Sequence, residues 1–248
     1  MNLPKIVTQE EWLAARKDLL AREKEFTRQR DALSAARPEL PMVKVEKDYT
    51  FDGPDGRVTL RGLFGPRHQL IVYHFMFDPS WSEGCTNCSC VMDNIAGSIV
   101  HLAARDTSFV AISRALLVKI EPFKRRMGWT FPWFSSFGND FNYDSHVTVD
   151  PDKGDYAYNY VPVPALIEAG KMFRSKHHPD ASPANPKGEM PGLSVFLRDD
   201  DTIFHTYSTY QRGLDFFLNM YNLLDVTPLG RQEEKSQGLA WVRHHDKY

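Results

Sequence analysis

The stretch QLIVYHFMFDPSWSEGCTNCSC, residues 69–90, decides the fold of this 248-residue chain. Residues 69–77 form a nearly continuous apolar run with β-branched and aromatic side chains, which is typical of a central strand covered on both faces. Asp78-Pro79 ends this strand, and a helix begins at Cys85-Thr86-Asn87-Cys88. The stretch therefore predicts two thiols, three positions apart, at a junction between a buried strand and a helix.

The predicted position of these thiols suits thiol–disulfide exchange. A sulfur in the first turn of a helix faces unsatisfied N–H groups and the positive end of the helix dipole, and both stabilise a thiolate. We expect Cys85 to be the attacking nucleophile, and Cys88, one turn further on, to resolve the mixed disulfide. Gly84 is expected to leave room for a substrate disulfide, and Trp81 to form an apolar wall beside the site.

The cysteines are few and close together. Only Cys85, Cys88 and Cys90 occur, whereas a disulfide framework would spread its cysteines to tie distant segments together. This clustering predicts redox chemistry or metal binding in a reducing compartment, for which we expect the cytoplasm.

Two other interpretations of the cysteines stay open. Three thiolates and one histidine could hold zinc, but the chain has neither a second C-x-x-C nor a histidine pair at ligand spacing. His177-His178 and His244-His245 are adjacent pairs in polar stretches, and we expect them to be solvated. We therefore expect no bound metal or cofactor. The remaining interpretation is a non-catalytic interaction domain in which the cysteines are small buried residues.

The composition limits the partners. The formal net charge is −2, so no global field favours nucleic acid or an anionic membrane. No apolar run is long enough to cross a bilayer, and the N-terminus lacks the apolar core of a secretory signal. We expect a disulfide-bearing protein or a small thiol compound as substrate, a cellular thiol as reductant, and neither nucleic acid nor membrane as partner.

The order of predicted elements favours a parallel α/β core. Strands at 69–77 and 107–113 alternate with helices, and an extended segment follows at 131–137. A hairpin is predicted within 42–60, and a later one at 192–207 precedes a helix at 210–225.

The domain boundaries are predicted from the composition and from residues that end helices and strands. Residues 1–40 are predicted to be an N-terminal helical extension, and residues 41–248 one domain with an irregular insertion at about 138–190. Thr8 and Glu11 form a capping box for a helix over 8–36. Apolar side chains recur every seven residues along this helix. They predict packing against its own domain or, as the alternative, a homodimer. These side chains are Trp12, Leu19, Phe26 and Leu33.

A hairpin, a buried strand, a C-x-x-C helix, a second strand and helix, a late hairpin and a final helix together resemble the thioredoxin fold. That resemblance implies a cis-proline directly before the late hairpin, facing the dithiol. Pro191 is the candidate, and an ordinary trans proline at a strand start is the alternative.

More closely, the chain resembles a bacterial family of thioredoxin-like proteins of unknown function, described as predicted dithiol-disulfide oxidoreductases. The likeness covers nearly the whole length and implies an α/β thioredoxin-like fold with dithiol–disulfide exchange at Cys85 and Cys88. Thr86-Asn87 replaces the Gly-Pro of thioredoxin, so the resemblance does not imply that this dithiol has the reduction potential of thioredoxin. The segments that carry the likeness are residues 11–16, 84–89, 113–115, 123–129, 136–143, 191–196, 204–210 and 241–243.

A second resemblance, to peroxiredoxins, implies a thiol peroxidase as the alternative function. Those proteins place a proline and a Thr or Ser before the peroxide-reducing cysteine, with an arginine supplied from elsewhere. Pro79, Ser82 and Cys85 are similar to that pattern, although the gap between proline and serine is one residue short. Arg114, at the end of the second strand, is the candidate arginine, because a reactive accessible thiolate serves either reaction.

Overall fold

The computed structural model describes residues 4–153, 157–170, 187–233 and 238–248. Within these ranges the α-helices vary from one turn to almost eight turns. They are α1 (Gln9–Ala36), α2 (Leu60–Leu63), α3 (Thr86–Ile95), α4 (Ile99–Ala103), α5 (Leu117–Arg126), α6 (Phe141–Asp144), α7 (Val163–Glu168) and α8 (Asn219–Asp225). None of the helices in these ranges is long and apolar enough to cross a membrane.

The strands form one large sheet and two small ones. The large sheet has eight strands in the order β1-β12-β11-β4-β5-β6-β2-β3. The strands are β1 (Val43–Lys44), β2 (Thr50–Gly53), β3 (Gly56–Thr59), β4 (Gln69–His74), β5 (Thr107–Ser113), β6 (Trp133–Ser135), β7 (Thr148–Val149), β8 (Ala157–Tyr158), β9 (Val161–Pro162), β10 (Gly188–Glu189), β11 (Gly192–Asp199) and β12 (Thr202–Tyr210). The small sheets pair β7 with β10 and β8 with β9.

The centre of the large sheet has the thioredoxin-like arrangement that the sequence predicts. Strands β4 and β5 are parallel, β11 runs antiparallel to β4, and β12 returns antiparallel to β11. Helix α3 connects β4 to β5, and a helical segment follows β12. The protein therefore has a thioredoxin-like α/β fold, in which β6 and the β2–β3 hairpin extend the sheet beyond β5.

Strand β4 is the central element of the core because both of its faces are covered. Tyr73, and Phe75 just after the end of the strand, belong to one apolar cluster. This cluster also contains the cysteines and residues of α3 and α5. Leu70 and Val72 belong to a second cluster on the opposite face, with residues of α2 and Phe141. This two-sided burial explains why the stretch is almost continuously apolar.

Helix α1 differs from the packing that the sequence favours. Thr8 and Glu11 form the predicted capping box, in which Thr8 Oγ1 accepts from the Glu11 N–H at 3.2 Å. No residue of α1 is buried, and Trp12 and Phe26 are 51% and 64% exposed. The expectation that α1 packs against its own domain is therefore wrong. The division at residues 40 and 41 and the extent of the insertion stay predictions.

Two predicted helices are interrupted. The helix that begins after Cys85 changes to a 3₁₀ turn at Ala96–Ser98 before it continues as α4. The segment 210–225 is a 3₁₀ helix over Gln211–Phe217 and then α8, because Leu218 between them has a non-helical backbone with ψ 76°. Amphipathic spacing alone does not reveal such a break.

Candidate active site

The two thiols lie where β4 gives way to α3. Cys85 is the N-cap of α3, with φ −59° and ψ 132°, and Cys88 is in the first helical turn. The Cys85 N–H donates to the Met76 carbonyl at 3.0 Å, which fixes the helix start beside the extended segment after β4. Ser89 donates to the Cys85 carbonyl from its N–H at 2.9 Å and from Oγ at 2.8 Å.

The Cys88 sulfur is buried and accepts a backbone hydrogen bond. Its Sγ accepts a hydrogen bond from the Met76 N–H at 3.4 Å and interacts with the Cys85 side chain. Burial, reinforced by the Cys85 side chain, raises the pKa of the Cys88 thiol well above its usual range. Cys85, Cys88 and Cys90 are all thiols here, not disulfide-bonded, and Cys85 and Cys88 are each 1% exposed.

Two buried tyrosines accompany Cys88. Tyr73, in β4, is fully buried, and its hydroxyl interacts with the Cys88 side chain. Tyr158, in β8, also acts electrostatically on Cys88, and burial raises the pKa of its hydroxyl far above the ordinary value. The Tyr158 hydroxyl donates to the Pro191 carbonyl at 2.9 Å. Pro191 therefore accepts a hydrogen bond from a buried tyrosine whose hydroxyl is under the electrostatic influence of Cys88.

The peptide bond before Pro191 is trans, so the predicted cis-proline is not found. Met190 is instead held by a backbone hydrogen bond from its N–H to the Val147 carbonyl at 2.7 Å. This bond extends the pairing of β7 with β10 by one residue. The chain then passes through Pro191 directly into β11. Pro191 corresponds to the alternative, a trans proline at a strand start.

The glycine before the nucleophile has a different role from the expected one. A Cβ at Gly84 would lie 2.7 Å from ring carbons of both Phe75 and Phe123. The missing side chain therefore makes room for the core and not for a substrate. Trp81 is 7% exposed and belongs to the same apolar cluster as Cys85 and Cys88, whereas Ser82 is exposed.

A C-terminal segment, residues 244–247, holds the loop that precedes Cys85. His244 Nε2 lies 2.9 Å from the Gly84 carbonyl, and Arg126 Nη2 lies 3.0 Å from His244 Nδ1. Because a guanidinium can only donate, Nδ1 accepts and Nε2–H donates to Gly84. Glu83 binds Arg126 at 2.7 Å and Lys247 at 2.9 Å.

The adjacent histidines at 244 and 245 were expected to be solvated. His244 is 2% exposed, which makes that expectation wrong for this residue, while the side chain of His245 is 43% exposed. The other pair, His177-His178, lies outside the described residues.

Arg114 lies in a separate buried polar cluster at the end of β5. Its guanidinium donates to Glu189 at 2.9 Å and lies over the Tyr143 ring at 5.0 Å. Glu189 also accepts from Thr148 Oγ1 at 2.9 Å and from Asn142 Nδ2 at 3.2 Å. Burial raises the pKa of Glu189 to about 7, although Arg114 acts in the opposite direction. The guanidinium that was the candidate partner of the nucleophile thus binds a carboxylate instead.

Cys90 lies on α3, and its surroundings are those of a packed side chain. Its Sγ is 4.0 Å from Met220 Sδ and 3.8 Å from Asn94 Nδ2, and burial raises the pKa of its thiol to about 11. Within the residues that the structure describes, no three His, Cys, Asp or Glu side chains are grouped to hold a metal ion. The three cysteines do not form such a group.

A chain of hydrogen bonds crosses three strands on the face of the sheet opposite the dithiol. His74 Nε2 lies 2.8 Å from Ser194 Oγ. Ser208 Oγ continues the chain, at 2.8 Å from Ser194 Oγ and 2.7 Å from His205 Nε2. Burial lowers the pKa of His74 to about 3. Both histidines are hydrogen-bonded, and His74 is buried whereas His205 is half-buried.

Sequence reasoning missed Tyr73, Tyr158 and His244 near the dithiol and the loop before it, and it missed Glu189, which binds Arg114. Tyr73 could have been found, because it is the only residue with a phenolic hydroxyl within the apolar run 69–77. The other three approach from more distant parts of the chain, and nothing in their local patterns signals that contact.

The strand order, the helix that follows β4 and the two thiols at its start define a thioredoxin-like protein with a C-x-x-C pair. The chain belongs to the family described as "Bacterial protein of unknown function (DUF899)", whose model matches residues 1–248. No curated protein matches the chain.

Several solved structures are similar to this chain at low identity. Peroxidoxin BcpB from Mycobacterium tuberculosis has a TM-score of 0.43 and 11% identity, over 75% of this chain and 97% of that one. Peroxiredoxin Q from Xanthomonas campestris has a TM-score of 0.40 and 15% identity, over 75% and 91%. A candidate protein disulfide isomerase from Bacteroides thetaiotaomicron has a TM-score of 0.38 and 18% identity, over 74% and 91%. At these values, the likenesses do not indicate what this chain does.

Proposed function

We propose that this protein is a cytoplasmic thiol–disulfide oxidoreductase in which Cys85 is the nucleophile and Cys88 the resolving thiol. The observation that carries the proposal is the placement of Cys85 at the N-cap of α3, with Cys88 in the next turn and in contact with it. Unsatisfied N–H groups at this helix start favour a thiolate on Cys85.

The burial of the Cys88 sulfur supports the division of roles. Burial raises the pKa of Cys88 well above the usual range, so Cys88 stays a thiol at neutral pH. A thiol that stays protonated is a poor first attacker, since the thiolate is the nucleophile. Cys85 is therefore the sulfur that attacks first.

The proposed reaction oxidises the two thiols of the protein and reduces one substrate disulfide. The Cys85 thiolate attacks one sulfur of the substrate, the substrate S–S bond breaks, and one half leaves as a thiolate. Cys88 then attacks the Cys85 sulfur, forms the Cys85–Cys88 disulfide and releases the other half. The Cys88 proton passes to the departing thiolate. A cellular thiol reductant restores the dithiol.

The exposure of the site favours a small disulfide over a protein disulfide. Cys85 and Cys88 are each 1% exposed, and Trp81 packs in the same apolar cluster. A disulfide fixed in a folded protein cannot reach such a sulfur without movement of the covering residues, whereas a small disulfide needs much less room.

The test compares substitutions of all three cysteines. With dithiothreitol as reductant, Cys85→Ser should abolish reduction of a small disulfide such as hydroxyethyl disulfide. Cys88→Ser should accumulate a mixed disulfide on Cys85 that mass spectrometry detects. Cys90→Ala is the matched control and should retain activity, because Cys90 packs against Met220. Activity of Cys85→Ser equal to that of the wild type would sink the proposal.

A thiol peroxidase is the second candidate, and the burial of Cys85 is the observation that favours it. Peroxide is small enough to reach a nearly enclosed sulfur. The thiolate would take one peroxide oxygen to become a sulfenic acid, and Cys88 would condense with it, releasing water. Trapping that sulfenic acid with dimedone in Cys88→Ser, after exposure to hydrogen peroxide, would support this reaction. Faster turnover of peroxide than of the small disulfide would make it the principal one.

A further inference from the structure

Tyr73 places a hydroxyl in the middle of the core with no hydrogen-bond partner of normal geometry. The residue is fully buried in β4, between Leu193 of β11 and Ala111 of β5. It faces the cluster that contains both cysteines of the dithiol. A buried hydroxyl without a partner lowers stability, and phenylalanine would fill the same space without that cost.

The sulfur of Cys88 is the polar group that this hydroxyl faces. The two side chains interact directly, and the Cys88 sulfur already accepts the Met76 N–H at 3.4 Å. A neutral thiol is a weak acceptor, which explains why no regular hydrogen bond forms in the dithiol state. A thiolate at the same place would be a strong acceptor, and hydrogen bonds to charged groups are stronger and shorter.

We propose that Tyr73 is a catalytic residue whose hydroxyl donates a hydrogen bond to the Cys88 sulfur while that sulfur carries negative charge. This inference rests on the proposed function. It adds that the Tyr73 hydroxyl makes the Cys88 thiolate a better leaving group. Burial makes a thiolate on Cys88 unfavourable, and the Tyr73 side chain and the Met76 N–H are the groups that act against this effect.

The step concerned is reduction of the Cys85–Cys88 disulfide. A thiolate of the reductant attacks the Cys85 sulfur, the S–S bond breaks, and its electron pair goes to Cys88. Tyr73 O–H and Met76 N–H then hold the Cys88 thiolate between them, without transfer of the phenolic proton. A second thiol of the reductant supplies a proton to Cys88 and, as a thiolate, displaces Cys85 from the mixed disulfide.

Tyr73→Phe removes the hydroxyl and keeps the shape of the side chain. The expected result is that reduction of the preformed Cys85–Cys88 disulfide by dithiothreitol slows about tenfold, the effect of losing one hydrogen bond to a charged group. In a Cys85→Ser background, the same substitution should raise the pKa of Cys88 by about one pH unit. The thiolate absorbance followed against pH measures this change.

Tyr49→Phe is the matched control. The Tyr49 hydroxyl also lies in the core region but donates to Asp144 at 2.7 Å, on the side of the sheet away from the dithiol. The control should change neither the reduction rate nor the pKa of Cys88. If Tyr73→Phe folds poorly, a fluorinated tyrosine at position 73 provides the second measurement. This stronger donor in nearly the same shape should lower the pKa of Cys88.

The outcomes separate this inference from the proposed function. A Tyr73→Phe variant with an unchanged reduction rate and an unchanged pKa of Cys88 would overturn the role of Tyr73 and leave the exchange reaction intact. A wild-type protein whose cysteines form no disulfide with diamide would overturn the exchange reaction. The pKa comparison needs no turnover, so it tests Tyr73 in either case.

An independent observation concerns α1, which presents apolar side chains to solvent along its length. None of its residues is buried, although the helix is about 42 Å long at 1.5 Å per residue. Long helices in proteins are stabilised mainly by packing of an apolar face. The exposed side chains, each at least 38% accessible, are Trp12, Leu13, Leu19, Leu20, Phe26 and Leu33.

We also infer that a second copy of this chain covers this face of α1. The helix carries six acidic and six basic residues, so two copies bring no net charge together. A membrane-binding helix would instead carry an excess of Lys and Arg on its polar face. The self-pairing of one patch gives a closed dimer, the commonest symmetric assembly.

The test is the mass of the full chain in solution, measured by light scattering after size-exclusion chromatography. A dimer is expected for the wild type and a monomer for Phe26→Glu, which places a charge in the apolar face. Ala21→Glu adds the same charge about 200° around the helix from Leu19 and should stay dimeric. A monomeric wild type, or a dimer in Phe26→Glu with α1 intact by circular dichroism, would overturn the inference.

Discussion

His244 Nε2 donates to the carbonyl oxygen of Gly84 at 2.9 Å, immediately before the cysteine at the start of α3. The two residues are 160 positions apart, and both are buried. Arg126 binds the other ring nitrogen, so His244 is held on both sides. The backbone that presents Cys85 is therefore fixed by a residue from the distant C-terminal segment.

Replacing His244 should destabilise the fold more than replacing its neighbour. His244→Ala leaves the buried Gly84 carbonyl without its donor, which costs about 1–3 kcal/mol in free energy of unfolding. His245→Ala removes a contact with Asp93 made by a histidine that is 43% exposed, and its cost is at most about 1 kcal/mol. Denaturant unfolding of both variants makes the comparison, and equal losses would contradict the burial argument.

Gly84→Ala should destabilise the protein by overpacking. The new Cβ would meet Phe75 and Phe123 ring carbons at 2.7 Å, and a core insertion of this kind costs about 1–3 kcal/mol. Gly97→Ala is the control, because a Cβ there meets no heavy atom within 4 Å. The midpoint of thermal unfolding should fall for the first variant and stay close to the wild type for the second. An unchanged midpoint for Gly84→Ala would show that the rings move aside freely.

Glu189 should make stability fall as pH rises. Burial raises its pKa from 4.5 to about 7, so between these values the folded state binds more protons than the unfolded state. The stability that this excess supplies is complete below pH 4.5 and is lost as pH rises through about 7. The loss is on the order of 3 kcal/mol, at about 1.4 kcal/mol for each unit between the two values.

Comparison with Glu189→Gln isolates this contribution from those of the other carboxylates. The stability of the wild type relative to the variant should decline from pH 4.5 to about 7. Unfolding in urea at several pH values measures it. Glu10→Gln, on the exposed α1, is the control for loss of one carboxylate. A stability difference that does not vary with pH would contradict the raised pKa of Glu189.

The Cys90 thiol should react slowly at mildly alkaline pH. Burial raises its pKa to about 11, and Asp93 acts in the same direction. Alkylation by iodoacetamide in Cys85→Ser/Cys88→Ser should therefore be slow at pH 8 and accelerate as pH rises. Peptide mass spectrometry follows the modification. Rapid labelling of Cys90 at pH 8 would show that it is more accessible than its packing against Met220 implies.

The sequence pattern predicts the central fold well because that fold depends on local signals. The apolar run at 69–77 and the cysteine helix correspond to β4 and α3, and the hairpin at 192–207 corresponds to β11 and β12. Local spacing carries no information on contacts between distant segments. The burial of His244 and the hydrogen bond from Tyr158 to Pro191 arise from such contacts.

The predicted site illustrates the same division. Cys85 and Cys88 lie together where the spacing places them, because both belong to one helix start. Arg114 has the expected position at the end of β5, but its charge is taken up by Glu189 from the insertion. Gly84 was expected to leave room for a substrate disulfide. Only the packed structure shows that Phe75 and Phe123 occupy the space.

The contact between His244 and Gly84 also bears on how the protein is made. During synthesis, β4, α3 and both thiols leave the ribosome long before residues 244–247 exist. The nucleophile loop is then without its histidine donor and without the ion pair between Glu83 and Lys247. Closure of a contact across 160 positions is a late and slow event in folding. The loop that presents Cys85 therefore reaches its final conformation only after translation of the C-terminal segment.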